Sequence, residues 1–240
     1  MKSPLKFGWR ARVLMLAATL IALSATQAFA QHYTRTDLTA DTAATSPTAP
    51  NLDSNLVNAW GISRSSGSPF WISDNGTGLS TLYNGTGTAL PLVVKIPTPG
   101  GTGNSTPTGT VWNYSTTSFL LAPGKPSVFM FVTEDGTISG WNPGVNGTEA
   151  VIKVDRSGKA IYKGCALAQT KDGVFLYATN FKTGRVDVFD SNFHLVRSEE
   201  LNFRGEHGDR GERGDDGRFR NFVPFNIQNV GGSQIGRAHV

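Results

Sequence analysis

Cysteine, net charge and long apolar runs are what this chain has little of, and each shortage excludes something. One cysteine, Cys165, in 240 residues rules out an intrachain disulfide framework. Its neighbours, Gly164 and Ala166-Leu167-Ala168, are those of an ordinary buried thiol rather than of a nucleophile or metal ligand. The four histidines, His32, His194, His207 and His239, are scattered, with no H-E-x-x-H and no His/Cys cluster at zinc spacing. G-x-S-x-G is missing, which argues against a nucleophile elbow. Gly101-Thr102-Gly103 leads into no helix-forming run, so it does not read as a phosphate cradle. No apolar run after the start of the chain approaches the ~20 residues that a membrane-crossing helix needs.

The balance of charge is also a near absence. Lys2, Lys6, Arg10 and Arg12 open the chain, an apolar run follows from Val13 to about Ala25, and Ala28-Phe29-Ala30 gives a small-x-small ending. This pattern predicts a secretory signal peptide over 1–30, cleaved before Gln31. Four of the 22 Lys+Arg lie in that segment, which leaves 18 basic against 18 acidic residues. The remainder is formally neutral, so nothing in its charge points to nucleic acid. The expected location is secreted or periplasmic.

What is present is one hairpin pattern used three times. Trp71–Tyr83, Phe131–Trp141 and Tyr177–Phe189 each run from an apolar strand end through a polar, glycine-bearing turn to an alternating strand closed by an aromatic. Aligned on their turns, they place Asp74, Glu134 and Asn180 together, at separations of about 60 and 46 residues. Four short strands per unit at such a period predict an all-β fold, a β-propeller of four-stranded antiparallel blades. The expected extent is an incomplete fragment, about three blades plus one strand.

In chain order, 31–55 is an N-terminal strand and linker, and 56–232 is the partial propeller. Pro97–Thr110 reads as a loop with too little apolar surface to pack. Segment 205–220 interrupts the pattern: Asp209, Glu212, Asp215 and Asp216 alternate with Arg210, Arg213, Arg218 and Arg220. Their spacing is not that of a calcium loop, and a solvated insertion or a local frame error accounts for the segment. Pro224–Gly232 resumes as an innermost strand. The ending Ile235-Gly236-Arg237-Ala238-His239-Val240 matches a translated sequencing adapter, so 233–240 is expected to be non-native.

The motifs Asn58-Ala59-Trp60-Gly61-Ile62, Trp71–Gly78, Val132–Ile138, Tyr177–Phe181 and Pro224–Gln228 together resemble an uncharacterised family of exported bacterial proteins. Some of its members carry a PEP-CTERM sorting signal. The resemblance implies a six-bladed propeller akin to the YVTN and NHL repeat groups, and a sorting signal, if present, beyond this sequence. It brings no catalytic residue set.

Candidate site residues come from the turns. Asp74, Asn75, Glu134, Asp135 and Asn180 carry oxygens suited to a hard cation such as Ca2+, with Asp74, Glu134 and Asn180 as the metal candidates. The same residue types also stabilise tight turns without any ligand, which is the simpler account. Trp60, Trp71, Trp112 and Trp141 read as inter-blade core or as a sugar platform. No cofactor is expected. The leading expectation is a non-catalytic binding or scaffold module for a protein, glycan or small molecule. The alternative is a metal-dependent lactonase- or lyase-like enzyme at the channel mouth.

Overall fold

The structure is a computed structural model that describes residues 34–200, 223–230 and 233–239. Segment 1–30, expected to be a signal peptide, and the charged segment 205–220, with Asp209, Glu212, Asp215 and Asp216, lie outside the described residues. Two short strands come first, β1 (Thr39–Ala40) and β2 (Asn51–Leu52), paired in parallel. Blade 1 follows as β3 (Ala59–Ser63), β4 (Phe70–Asp74), β5 (Leu79–Tyr83) and β6 (Ala89–Lys95). Blade 2 starts with β7 (Pro107–Trp112), is interrupted by the small hairpin β8 (Leu120–Ala122) and β9 (Lys125–Pro126), and resumes with β10 (Phe129–Thr133), β11 (Thr137–Asn142) and β12 (Asn146–Asp155). Blade 3 is β13 (Tyr162–Thr170), β14 (Gly173–Asn180), β15 (Arg185–Phe189) and β16 (Leu195–Glu200). A last hairpin, β17 (Val223–Val230) and β18 (Ser233–His239), stands where a fourth blade would begin. The described residues from Asp37 onward group as one unit.

Within each blade, neighbouring strands run antiparallel in sequence order. The outer strands of blades 1 and 2 touch through one parallel bridge, Glu149 opposite Lys95, which joins the two blades into an eight-stranded sheet. Pro91 lies on outer strand β6, where the missing amide hydrogen costs least. The three hairpin turns place Gly78, Gly136 and Gly184 at φ of 73°, 85° and 69°, a region that glycine enters without the penalty other residues meet.

Period-two alternation then builds the core. On β10, Phe129 and Phe131 point to blade 1, where Trp71 stacks on Phe129 at 4.3 Å between ring centroids and meets Trp141 at 4.8 Å. Met130 and Val132 point the other way, into a cluster with Tyr162, Leu176, Ala178 and Phe189 of blade 3. Blade 3 in turn packs Ala166, Tyr177, Val186 and Val188 against Ile227 of β17. A strand covered on both sides gains about 1.5–3 kcal/mol for each large apolar side chain it buries, and only stacked neighbours supply that cover.

The inner strands β3, β7, β13 and β17 approach one another at a recurring position. A Cβ on Gly61 would lie 2.8 Å from the Thr110 amide nitrogen, one on Gly109 would lie 2.7 Å from that of Cys165, and one on Gly164 would lie 3.0 Å from Cα of Asn226. Each glycine therefore lets its strand close on the next. Pro97–Thr110 departs from the loop reading: Pro107–Thr110 is part of β7, and Thr98, Ser105, Thr108 and Thr110 are buried. Threonine and serine hold those packed positions, so the low apolar content was misleading. Replacing Gly109 by Ala forces a methyl group onto rigid backbone and is expected to lower unfolding free energy by about 1–3 kcal/mol. Gly67→Ala, with nothing within 4 Å, is the control; equal denaturation midpoints for the two variants would refute the close approach.

Candidate functional site

The recurring glycine also sets what stands beside it. The residue before that position is Trp60 in β3, Thr108 in β7, Lys163 in β13 and Phe225 in β17, where Asn226 takes the glycine's place. Trp60, Lys163 and Phe225 meet. The Lys163 ammonium lies 4.8 Å from the Trp60 ring centre, 5.7 Å from that of Phe225 and 5.5 Å from that of Phe181, which follows β14. Trp60 and Phe225 are themselves 5.4 Å apart, and Phe181 and Phe225 6.4 Å. A cation among ring faces gains about 2 kcal/mol when it is largely shielded from water, and the Lys163 side chain is 12% exposed.

Glu134 closes the fourth side. Its Oε1 accepts from Lys163 Nζ, and its Oε2 accepts from Asn75 Nδ2 at 3.0 Å. Asn75 Oδ1 accepts in turn from Asn58 Nδ2 at 3.0 Å. Asn75 of blade 1, Glu134 of blade 2 and Lys163 of blade 3 thus form one polar chain, with the Lys163 end among aromatic rings. The inner strands line a cavity of about 770 Å³, which Lys163 reaches and Asn75 and Glu134 do not line. Trp60, Trp112, Tyr114 and Ile62 contribute to its wall, and its charged lining residues are Lys163 and Arg64.

The sequence-derived candidates divide between the mouth and the blade interiors. Asp74 and Asn180 are the last residues of β4 and β14, and the residue that ends β10 is Thr133, not Glu134. The β10–β11 turn is one residue shorter, so Glu134 shares its register with Asn75 and Phe181. Asp74 is fully buried: its Oδ2 accepts from Thr81 N at 3.1 Å and Thr81 Oγ1 at 2.8 Å. Asn180, also fully buried, donates to Asp187 Oδ2 at 3.0 Å and accepts from the Ile161 amide. Asp135 Oδ2 holds Thr106 through its amide and hydroxyl at 2.8 and 3.0 Å. Asp74, Glu134 and Asn180 do not face a common space, and no group of three or more His, Cys, Asp or Glu converges among the described residues. The donor set does not fit a shared cation.

Trp71 and Trp141 are core, whereas Trp60 and Trp112 are half-buried on the cavity wall. Burial pushes the Cys165 thiol up to about 12, so it is unreactive as a nucleophile. Sequence reading missed Lys163, Phe181 and Phe225. The signal for two of them was available as the residue before each inner-strand glycine or its substitute.

No family model matches the chain. Two uncharacterized proteins of Acanthamoeba polyphaga mimivirus are similar: one is 30% identical over 146 residues, 59% of this chain and 25% of that protein, and the other is 28% identical over 190 residues, 76% and 44%. Among solved structures, a catalytically inactive virginiamycin B lyase from Staphylococcus aureus with quinupristin is 14% identical at a TM-score of 0.47, covering 74% of this chain and 47% of that one. A streptogramin B lyase matches at 12% and 0.46, covering 76% and 48%. A nidogen/laminin complex matches at 13% and 0.44, covering 75% and 55%. The chain thus spans about half the length of these structures and less than half of the curated relatives. With lyases among the matches, the expectation of a protein that is more a binding module than an enzyme is withdrawn. The chain is a β-propeller-like protein, distant in sequence from these solved structures.

Asp74 supplies a test of this geometry. Burial raises its carboxyl from 3.8 to about 7, against the lowering effect of the Thr81 hydrogen bonds and with a smaller raising contribution from the Asp53 charge. The folded pKa lies above the unfolded one, so the fold favours the protonated form. The associated stability is fully present below about pH 4 and is lost as pH rises to about 7, by at most roughly 4 kcal/mol. Asp74→Asn, which copies Asn180 of blade 3, is expected to remove that loss. Urea midpoints at pH 4, 6 and 8 that fall in parallel for both proteins would contradict it.

Proposed function

We propose that the chain belongs to an exported β-propeller enzyme of the lyase or lactonase type, acting at the channel mouth on a cyclic ester. The observation that carries this reading is the Lys163–Glu134 pair, assembled from two blades, tied to a third through Asn75 and ringed by Trp60, Phe181 and Phe225. A base, a cation and apolar walls are the parts an elimination needs. Glu134 takes the proton α to a carbonyl; Lys163 donates a hydrogen bond to that carbonyl oxygen as charge gathers on it. The carbon–oxygen bond at the β carbon then breaks and the ester oxygen departs as a carboxylate, leaving a double bond. Asn75 holds Glu134 in place. Thr106 engages Asp135 Oδ2, Lys163 and Asn75 engage Glu134, Ile161 engages Asn180, and Thr81 engages Asp74 through Oδ2 alone; no step is routed through a cation.

Export rests on the basic and apolar start of the sequence. Membership of the YVTN/NHL-like exported family rests on the motifs that carry the resemblance, now joined by the blade architecture. The mature full-length protein is to be assayed against a panel of lactones and cyclic depsipeptides, with elimination read as a new double bond by absorbance at unchanged mass and hydrolysis as the gain of one water. Lys163→Met and Glu134→Gln are each expected to lower kcat by about 10²–10⁴ with circular dichroism unchanged. Failure to turn over any member of the panel, or wild-type rates in both variants, would end this reading.

A further inference from the structure

The blade interfaces treat buried polar groups differently. Between blades 2 and 3, Thr108 Oγ1 donates to Tyr162 O at 2.8 Å, and within blade 3 Asp187 receives the Tyr162 hydroxyl at 3.0 Å and the Asn180 amide at 3.0 Å. Between blade 3 and β17, Thr179 Oγ1 reaches Gly164 O and Phe225 O. Between blades 1 and 2 the situation is reversed. Trp71 Nε1, Ser73 Oγ and Ser80 Oγ of blade 1, Thr110 Oγ1 and Ser139 Oγ of blade 2, and Ser105 Oγ of the connecting loop are buried without a protein hydrogen-bond partner; they are six of eight such atoms among the described residues, the others being Asp74 Oδ1 and Arg156 Nε. None of the six residues is more than 8% exposed.

Register puts these groups on one seam. Ser73 is opposite Ser80, and Trp71 lies two residues along on the same face of β4. Ser139 and Thr110 are both opposite Phe131, whose ring centre is 6.3 Å from that of Trp71 across the interface. Ser105 sits against the β4–β5 turn, since a Cβ on Gly78 would lie 2.9 Å from the Ser105 nitrogen. Buried hydroxyl and indole groups in folded proteins find partners in nearly all cases, so six such groups on one interface call for bridging partners.

We propose that blades 1 and 2 enclose a binding site for a small cluster of ordered water molecules, on the order of two or three, each bridging several of these groups. The chemistry favours water. Serine and threonine hydroxyls both donate and accept, the indole only donates, and a bridging water matches both. A metal cation would meet the indole hydrogen and no carboxylate, because Asp74 lies on the opposite face of β4 and the neighbouring Thr133 and Thr137 hydroxyls bond each other at 2.8 Å. The site lies beneath the Asn75–Glu134 hydrogen bond that joins the same two blades at the mouth. It holds whatever the chemistry at Lys163 proves to be.

The sign of a mutation tests it. Thr110→Val keeps the shape and removes the hydroxyl. If water bridges that hydroxyl, the variant strands the water's other partners and its thermal midpoint falls by roughly 2–4 °C. If the seam is dry, deleting an unpaired buried hydroxyl raises the midpoint, and that result overturns the proposal. Water-proton relaxation dispersion on the wild type gives the second readout: long-lived buried waters, fewer in Ser139→Ala, support the site, and none overturns it. The wild-type measurement stands even where a variant fails to fold.

Discussion

Everything in this structure depends on how closely four inner strands can approach a common channel. Gly61, Gly109 and Gly164 remove the side chain at the point of approach, and each lets its strand come within a Cβ radius of the next. A blade's faces diverge outward from that line, so large side chains such as Trp71, Phe129, Trp141 and Phe189 fill the wider parts of the wedge. The alternation of β10, with phenylalanines towards one blade and Met130 and Val132 towards the other, follows from having a neighbour on each side.

The same approach creates the candidate site. Because the inner strands are tightly packed at the glycines, the residues just before them, Trp60, Lys163 and Phe225, come together from strands far apart in sequence. The turns that end the second strands contribute Asn75, Glu134 and Phe181 from above. A buried ion pair is a doubtful source of stability, since desolvation offsets most of the attraction.

The hairpins were legible in the sequence because their cause is local. A glycine in a polar turn between alternating runs specifies a reversal, and Leu79–Tyr83 and Arg185–Phe189 fall where the pattern puts them. The start of blade 2 was less legible, since Pro107–Thr110 packs through threonine hydroxyls rather than apolar mass. The alignment of Asp74 with Glu134 was off by one residue because a three-residue turn replaces a four-residue one, a difference that only pairing register exposes. Lys163 and its rings were hidden for another reason: their meeting depends on rotation from blade to blade, which no local pattern encodes.

In the fourth inner strand the recurring glycine is replaced. Asn226 occupies that place, and its side chain fills the space that a Cβ on Gly164 would need. Two positions some sixty residues apart therefore share a single allotment of volume. Homologues that enlarge one should shrink the other, so this pair is where covariation between adjacent repeats ought to be strongest, ahead of any pair in the aromatic core, where several neighbours can absorb a change.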